Sequence, residues 1–229
     1  MGDAPIGPND SERSRTLWFG LLLTLTNGFM DAHTFLVRGG VFANVQTGNV
    51  IFFAIEAAER NLAAAMAHVW PILAFMVGVL LASYIKSGRV ERIVTHPLRW
   101  AMAVQVIVLG AIGFVPVSVA HSVVTVPIAF LAALQMGLFR NIGNLAYLPV
   151  ATTGNLMRFV ESGYDGIVEK KAESRRACRI YGTLILAFTG GALIGAFASR
   201  AWGGQAIWLA AGILAITLVL FIVDERVLR

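Results

Sequence analysis

The sequence predicts an all-α polytopic membrane protein, with six transmembrane helices plus two re-entrant half-helices arranged as an inverted repeat of two three-span halves. The composition is the first observation behind this fold class. Of the 229 residues, 57% are hydrophobic and only 14% are charged, whereas a soluble domain carries about a quarter of its residues as Asp, Glu, Lys or Arg. This excludes a disordered protein and argues against a nucleic-acid-binding module. A membrane protein also explains the net charge of +5, because cytoplasmic loops collect Lys and Arg.

The second observation is a series of long apolar windows. About 20 mostly apolar residues cross the hydrocarbon core of a bilayer. The first window is too long for a cleaved signal peptide and lacks a cleavage site, so we expect it to be retained. We expect residues 1–12 to form a disordered lead and residues 13–229 to form a single transmembrane domain. The six predicted spans are 16–37, 68–85, 98–117, 123–147, 180–199 and 205–223, and two shorter apolar stretches are 41–58 and 148–160.

The distribution of basic residues decides whether the two short stretches cross the membrane. If both re-enter, the chain crosses six times, both termini lie in the cytoplasm, and most of its 18 Lys and Arg residues face the cytoplasm. Only Arg38, Arg60 and Arg200 then face outward. If both stretches cross, the basic clusters at 86–99 and 170–179 fall on opposite sides of the membrane. The positive-inside rule therefore favours re-entrant segments.

The third observation is an internal duplication, with repeats at about 16–118 and 121–224. Gly28-Phe-Met-Asp aligns with Gly137-Leu-Phe-Arg, and Ile72-Leu-Ala-Phe aligns with Ile185-Leu-Ala-Phe. A Thr-Gly-Asn tripeptide lies between these matches in each half. Because each half has three crossings, the second half is inserted upside down. Many secondary transporters share this plan, and their site lies near the midplane where the halves meet.

Three strings in the first half carry a resemblance to a known family: Gly28-Phe-Met-Asp-Ala, Gly39-Gly-Val-Phe-Ala-Asn, and Thr47-Gly-Asn. Together they are similar to the signature of the YoaK-like family of bacterial inner-membrane proteins, a domain of unknown function of about this length. The resemblance covers nearly the whole chain. It implies a small multi-pass protein of the bacterial inner (cytoplasmic) membrane and leaves the chemistry open.

The two Thr-Gly-Asn tripeptides are the first candidate site. We expect Thr47 and Thr153 to be N-caps, with half-helices following them. In an inverted pair the two half-helix N-termini point at each other near the midplane, each with free N–H groups and about half a positive charge. Such ends are expected to bind an anion or a polar neutral solute, or to repel cations as half-helix ends do in some pores. The alternative is that the tripeptides only cap and pack two half-helices in a dry interior. The residues of this site are Thr47, Gly48, Asn49, Thr153, Gly154 and Asn155.

Asp31 and Arg140 are the two formal charges deep in predicted spans, and they occupy equivalent positions in the two halves. Each alone costs on the order of 3 kcal/mol at the centre of a spanning helix, so we predict a buried ion pair. The pair is either a structural clasp or a transport device that exchanges partners. His33 lies two residues further on and either joins the same network or packs in the interior. The polar neighbours expected around the pair are Asn27, Asn44, Gln46, Gln135, Asn141 and Asn144.

Several further features are architectural. Gly191 and Gly195 form a small-residue stripe, and Gly78 with Ala82 is its counterpart in the first half; such stripes let helices approach closely. Packing within the chain is the preferred interpretation, and a homodimer seam is the alternative. Pro71 is expected at a helix start. The basic stretch 170–179 is expected to meet anionic lipid headgroups.

The leading functional hypothesis is a small transporter or channel for a small polar or anionic solute, with the lipid bilayer as its surroundings. A non-catalytic assembly or regulatory subunit is the alternative. An intramembrane enzyme is less favoured, since the sequence has no HExxH, no CxxC and no Ser with a suitable base. We therefore predict no catalytic residues, no metal site, no cofactor and no nucleic-acid partner.

Overall fold

The chain is described by a computed structural model over residues 14–90 and 94–227, with side chains up to residue 223. It is almost entirely helical, which confirms the predicted all-α class. The predicted disordered lead at 1–12 lies outside the described residues. The elements in chain order are α1 (Leu17–Val37), α2 (Gln46–Ala58), α3 (Leu62–Lys86), α4 (Pro97–Ile112), α5 (Ser122–Leu138), β1 (Asn141–Ile142), β2 (Leu145–Ala146), α6 (Thr152–Ile167), α7 (Ala172–Trp202), a 3-10 turn (Gly203–Ala206) and α8 (Ile207–Val227).

Helix α1 packs in parallel against α7 through glycines. A Cβ at Gly191 would collide with the carbonyl of Leu25, and a Cβ at Gly195 would lie 2.6 Å from the carbonyl oxygen of Phe29. Near the end of the pair, His33 Nδ1 lies 2.9 Å from Ser199 Oγ. These contacts advance in step along both helices, so α1 and α7 run in the same direction. His33 therefore belongs to this seam.

Helices α3 and α5 form a second parallel pair of the same kind. A Cβ at Gly78 would lie 2.5 Å from the carbonyl oxygen of Phe130, and a Cβ at Gly137 would collide with Ala82. The predicted role of both small-residue stripes in packing within the chain is thus confirmed, because backbones this close tolerate only small side chains. The remaining large interfaces join α2 to α3, α6 to α7, and α4 to α8.

One end of the helix bundle collects basic side chains, and we call it the basic end. The hairpin that follows α5 is tied to the start of α1 by a 2.8 Å hydrogen bond from Gly143 N to Arg15 O. Arg15, Lys86 and Arg140 line one cleft there. Because α7 runs parallel to α1, its start also lies at this end, together with the turn at 168–171. Many of the basic residues that were predicted to cluster on one side therefore lie at the same end of the bundle.

Arg38 marks the opposite end, after α1. Its guanidinium donates from Nη1 to the carbonyl of Pro116 at 3.0 Å and from Nη2 to that of Val115 at 2.8 Å. The turn around it depends on glycine, because Gly39 has φ of 76° and Gly40 has φ of 74°, values that L-residues with a side chain rarely adopt.

Several predicted helix boundaries are wrong. The window 123–147 is not one helix, because α5 ends at Leu138. A hairpin follows, with Asn141 opposite Ala146 and a two-residue turn at 143–144 in which Gly143 has φ of 56°. Pro71 lies inside α3 and not at its start. Helix α3 begins at Leu62, nine residues before Pro71. The proline therefore lies far from the first turn, where its missing N–H would cost nothing.

Among the described residues, two helical segments are long and apolar enough to cross a membrane, Leu62–Lys86 and Ala172–Val223. The second contains α7 and α8, which the 3-10 turn separates. Helices α4 and α5 are apolar but shorter, with 16 and 17 residues. Helix α1, with 21 residues, is long enough to cross a membrane, but polar residues along its middle lower its mean hydropathy.

Candidate functional site: a buried amide cluster

A chain of side-chain amides crosses the middle of the bundle. Asn44 Nδ2 donates to the backbone carbonyl oxygen of Asn27 at 3.0 Å, and Asn27 Nδ2 donates to Gln135 Oε1 at 2.7 Å. Gln135 Nε2 in turn donates to Gln105 Oε1 at 2.5 Å. All four side chains are at most 2% exposed. They come from α1, the loop after it, α5 and α4, so the chain joins the two halves of the sequence. We call these four residues the amide cluster.

Asp31 extends the amide cluster on one side. Its Oδ1 accepts a 3.2 Å hydrogen bond from the backbone N–H of Asn44, and the residue is 5% exposed. The loop after α1 therefore folds back into the bundle, because Asn44 contacts both Asp31 and Asn27. Asn27 is the central residue of α1, and Gln105 lies near the middle of α4. The cluster thus occupies the middle depth of the bundle.

The amide cluster leaves polar atoms without partners in the described protein. They are the side-chain oxygens Asn27 Oδ1, Asn44 Oδ1 and Asp31 Oδ2, and the nitrogen Gln105 Nε2. A buried polar atom without a hydrogen bond costs about 1–3 kcal/mol, so native proteins rarely keep several in one place without water or a ligand. The set contains three acceptors and one donor, a composition that suits a partner rich in N–H or O–H groups.

The predicted ion pair between Asp31 and Arg140 is wrong. Asp31 is buried beside Asn44, whereas Arg140 is exposed at the basic end and donates from Nε to the carbonyl of Met136 at 2.8 Å. Helix α5 ends two residues before Arg140, so that side chain leaves the bundle interior. Asp31 and Arg140 align in the sequence, but the early end of α5 places Arg140 outside the interior that holds Asp31.

The two Thr-Gly-Asn tripeptides are helix starts, but their threonines are not the N-caps. The caps are Val45 and Ala151, because each helix begins one residue before its threonine. Thr47 and Thr153 are exposed, and Gly48 and Gly154 are half-buried beside their helix axes. The predicted N-cap role of the threonines is therefore corrected.

The asparagines of both tripeptides are buried and bind backbone seven residues earlier. Asn49 Nδ2 donates to the carbonyl of Phe42 at 2.7 Å. The Asn155 side chain pairs with both backbone polar groups of Leu148. It accepts from Leu148 N at 3.2 Å and donates to Leu148 O at 2.9 Å. Each amide thereby fixes the extended segment that leads into its helix. This is the capping and packing role that the sequence left as the alternative for these residues.

The second half contributes less to the centre than the first. Asn141 is half-buried in β1, and Asn144 is exposed in the hairpin turn, so both lie at the basic end. Of the predicted site residues, Asp31, Asn27 and Asn44 come together. Gln46, expected as a further polar neighbour, instead accepts a 2.9 Å hydrogen bond from Asn49.

Gln105 and Arg38 are among the buried polar residues that sequence reasoning missed. Gln105 is 1% exposed and ends the amide cluster; its signal is a lone glutamine in the middle of an apolar helix. Arg38 was placed in an outer loop, yet it is fully buried. Burial lowers its pKa from the ordinary value, but a guanidinium stays protonated in proteins. The glycine pair after Arg38 was the available signal of a tight turn.

An apolar groove of about 400 Å³ lies on the outside of the bundle next to Asp31. Its wall is formed by α1, α7 and the segment before α2, including Phe35, Phe42 and Phe188. Phe35 is 41% exposed. Asp31 lines this groove and also contacts Asn44, so the groove adjoins the amide cluster at Asp31.

No group of three or more His, Cys, Asp or Glu side chains within the described ranges is arranged to hold a metal ion. The single cysteine, Cys178, is half-buried in α7 and unpaired. The buried cluster contains amides and one carboxylate, groups that donate and accept hydrogen bonds.

Comparison with known proteins identifies a family. The family described as Protein of unknown function (DUF1275) matches residues 19–220, and the chain belongs to it. The match agrees with the expected family of unknown function, while the YoaK-like name is not part of it. No curated protein and no solved structure matched the chain.

Proposed function

We propose that this DUF1275 chain is a small polytopic membrane transporter whose site is the amide cluster with Asp31. The single observation that carries the proposal is the set of unpartnered polar atoms at the middle depth of an apolar bundle. In a bilayer, polar groups of this kind mark solute or ion pathways, because an unsatisfied group is costly in hydrocarbon.

The outer surface of the bundle supports membrane insertion. Large apolar side chains are strongly exposed on several helices, among them Leu80 at 68%, Ile107 at 68%, Leu186 at 71% and Phe197 at 69%. A soluble monomer rarely exposes contiguous apolar surface on this scale. With α2 and α6 as re-entrant helices, the chain crosses the bacterial inner membrane six times and keeps both termini in the cytoplasm.

The helix pairing supports the inverted repeat. Helix α1 pairs in parallel with α7, and its counterpart α5 pairs in parallel with α3, the counterpart of α7. The pairs α2 with α3 and α6 with α7 correspond in the same way, while α4 packs on its own counterpart α8. This is the contact pattern of a two-fold axis relating the halves, and the amide cluster lies between them.

The hydrogen-bonding capacity of the site favours a polar neutral solute over an anion. Three of the four unpartnered atoms are acceptors, and one of them belongs to the carboxyl group of Asp31. Asp31 also accepts from the segment leading into α2, at a site for which the sequence alone had left both an anion and a polar neutral solute open. A solute with N–H or O–H donors satisfies this set, and an anion does not.

Water access to the amide cluster tests the proposal. In a Cys178→Ser background, Asn44→Cys and Gln105→Cys are treated with a charged, membrane-impermeant methanethiosulfonate in proteoliposomes. We expect labelling at both positions. Ala210→Cys is the matched control, because Ala210 is fully buried in α8 within the hydrophobic core. Absence of labelling in folded Asn44→Cys and Gln105→Cys protein means a dry interior and overturns the proposal in favour of an assembly or regulatory subunit.

Solute flux is the second test. Purified protein is screened by thermal shift against amino acids, nucleobases and small carboxylates, and each stabilising solute is followed as radiolabelled uptake into proteoliposomes. We expect uptake that Gln105→Leu abolishes while the melting temperature is kept. Uptake that persists in folded Gln105→Leu protein removes the amide cluster from the pathway.

A further inference from the structure

A cleft at the basic end of the bundle points to a binding function separate from transport, in which Arg140 takes part. Three cationic side chains from separate parts of the chain line it: Arg15 before α1, Lys86 at the end of α3, and Arg140 after α5. All three are exposed. The described residues that line the cleft include no acidic side chain. Like charges gathered in one cleft repel one another, so an anion bound among them is stabilised by all three.

The fold holds these cations together. The hydrogen bond from Gly143 N to Arg15 O joins the hairpin to the segment before α1. Deeper along α1, Ile142 and Tyr147 pack so closely on Gly20 that a Cβ there would lie 2.7 Å from Ile142 Cδ1. Arg140 Nε is used by the carbonyl of Met136, which orients the guanidinium. Its two Nη groups have no partner within the described part of the chain, and they form the fork that pairs with a phosphate.

Apolar side chains lie beneath the charged rim of the cleft, beside Ser14 and Asn141. Leu98, Leu138 and Phe139 line it, and they are 1%, 7% and 1% exposed. Its volume is about 70 Å³, several times what a water molecule needs. A cleft with cations at the rim and apolar side chains below matches a molecule with a phosphate on one side and hydrocarbon on the other.

Aromatic residues place the cleft at the level of lipid headgroups. Trp18 lies in the first turn of α1 and Trp100 in the first turn of α4, both at the basic end, and Trp100 is 60% exposed. Tryptophan concentrates at the boundary between hydrocarbon and headgroups. The phosphate of a lipid in the same leaflet therefore lies at the height of Arg15, Lys86 and Arg140.

We propose that this cleft is a binding site for the headgroup of an anionic phospholipid of the cytoplasmic leaflet. The proposal rests on membrane insertion but not on transport. It is distinct from the predicted lipid contact of the stretch 170–179, whose cations lie on the α6–α7 turn and the start of α7. A basic pocket between helices on the cytoplasmic side recognises acidic lipids by charge and shape together.

The test measures lipid binding by native mass spectrometry and by melting temperature in nanodiscs of phosphatidylcholine alone or mixed with phosphatidylglycerol. We expect phosphatidylglycerol to raise the melting temperature of the wild type and to remain bound as a defined adduct. The triple variant Arg15→Gln, Lys86→Gln, Arg140→Gln should lose the adduct, with affinity about 100-fold weaker, which corresponds to about 1 kcal/mol for each basic side chain.

A control variant removes the same charge from the other cluster: Lys170→Gln, Arg176→Gln, Arg179→Gln, three exposed cations at the same end. It should keep the adduct. Equal loss in both triple variants means general electrostatic attraction and overturns the site. So does a wild type that phosphatidylglycerol does not stabilise, or one that inorganic phosphate stabilises to the same extent as the lipid. Failure here leaves water access to Asn44 and Gln105 unaffected, so it is distinguishable from failure of the transport proposal.

Discussion

Single side chains in this chain hold backbone segments that would otherwise lose their partners. Asn155 is the clearest example, because its amide satisfies both the N–H and the carbonyl of Leu148. Arg38 does the same for two successive carbonyls, those of Val115 and Pro116. Leu148 and Pro116 both lie outside regular helix, so their polar groups have no helical partner. Buried backbone groups must be paired, and irregular segments inside an apolar bundle depend on side chains for this.

Asn155→Ala should lower the free energy of unfolding by about 2–4 kcal/mol, because it leaves both polar groups of Leu148 unpaired at about 1–2 kcal/mol each. Asn144→Ala is the matched control, since Asn144 is exposed in the hairpin turn, and it should change the stability by less than about 0.5 kcal/mol. Thermal unfolding in detergent measures both. Equal melting temperatures for the two variants would show that Asn155 does not fix the segment before α6.

Arg38→Lys should also destabilise the protein, although it keeps the charge. A lysine ammonium is a point donor and cannot reproduce the planar fork that spans two carbonyls. Loss of one charge-assisted hydrogen bond costs about 1.5–3 kcal/mol. Arg200→Lys, at an exposed position near the same end of the bundle, is the control and should melt with the wild type. A wild-type melting temperature for Arg38→Lys would contradict the importance of the paired carbonyls.

At the scale of elements, glycine contacts decide which helices pair. The α1–α7 interface admits no Cβ at Gly191, because the carbonyl of Leu25 occupies its place, whereas the adjacent Gly190 has nothing within 4 Å of its Cβ position. Of these two neighbouring glycines, Gly191 therefore faces a tight helix interface and Gly190 faces open space. The difference separates the packing role of glycine from its effect on helix propensity, since both positions lie within α7.

Gly191→Ala should destabilise the folded protein by about 1–3 kcal/mol through overpacking against backbone. Gly190→Ala should leave the stability unchanged or slightly raise it, because alanine is the better helix former. Melting temperature and the yield of monodisperse protein in detergent report the effect. If both variants behave alike, the seam between α1 and α7 is not as close as the structure has it.

Much of this pairing was foreseeable from sequence, and the reasons are local. The spacing of Gly191–Gly195 and of Gly78–Ala82 predicts close helix contacts. The apolar windows locate the helices, although several of their ends are misplaced. The arrangement of polar residues at the centre of the bundle was harder to predict from the sequence. Asp31 and Arg140 align in sequence, yet their heights in the bundle depend on where α5 ends. The hairpin at 141–146 was hidden in an apolar window, although Gly143-Asn144 is a turn signal. Gln105 has no sequence neighbour that connects it with Asn27.

At the scale of the whole molecule, the parallel pairs constrain which ends lie together. Because α1 and α7 are parallel, and α5 ends beside the start of α1, the residues Arg15, Lys86, Arg140 and the turn at 168–171 share one end. The buried Arg38 and the exposed Arg200 lie at the other. An orientation with the basic end in the cytoplasm satisfies the positive-inside rule without placing a cluster on the wrong side. That orientation requires α2 and α6 to return to the surface from which their segments entered.

Site-directed labelling tests this topology directly. In a Cys178→Ser background, single cysteines replace four exposed residues: Ser87, Lys170, Glu59 and Ser118. With an impermeant maleimide, we expect Ser87→Cys and Lys170→Cys to react only in inside-out vesicles, and Glu59→Cys and Ser118→Cys to react only in right-side-out vesicles. Glu59 is the decisive position, because it directly follows α2. If α2 and α6 both crossed the membrane, Glu59→Cys would react from the cytoplasmic side, Ser87 and Lys170 would no longer share a side, and the six-crossing topology would be wrong. Reaction of Glu59→Cys from the outside leaves α2 as a helix that starts beside Asp31 and Asn44 and ends at the outer surface, as a half-helix leading to a central site must.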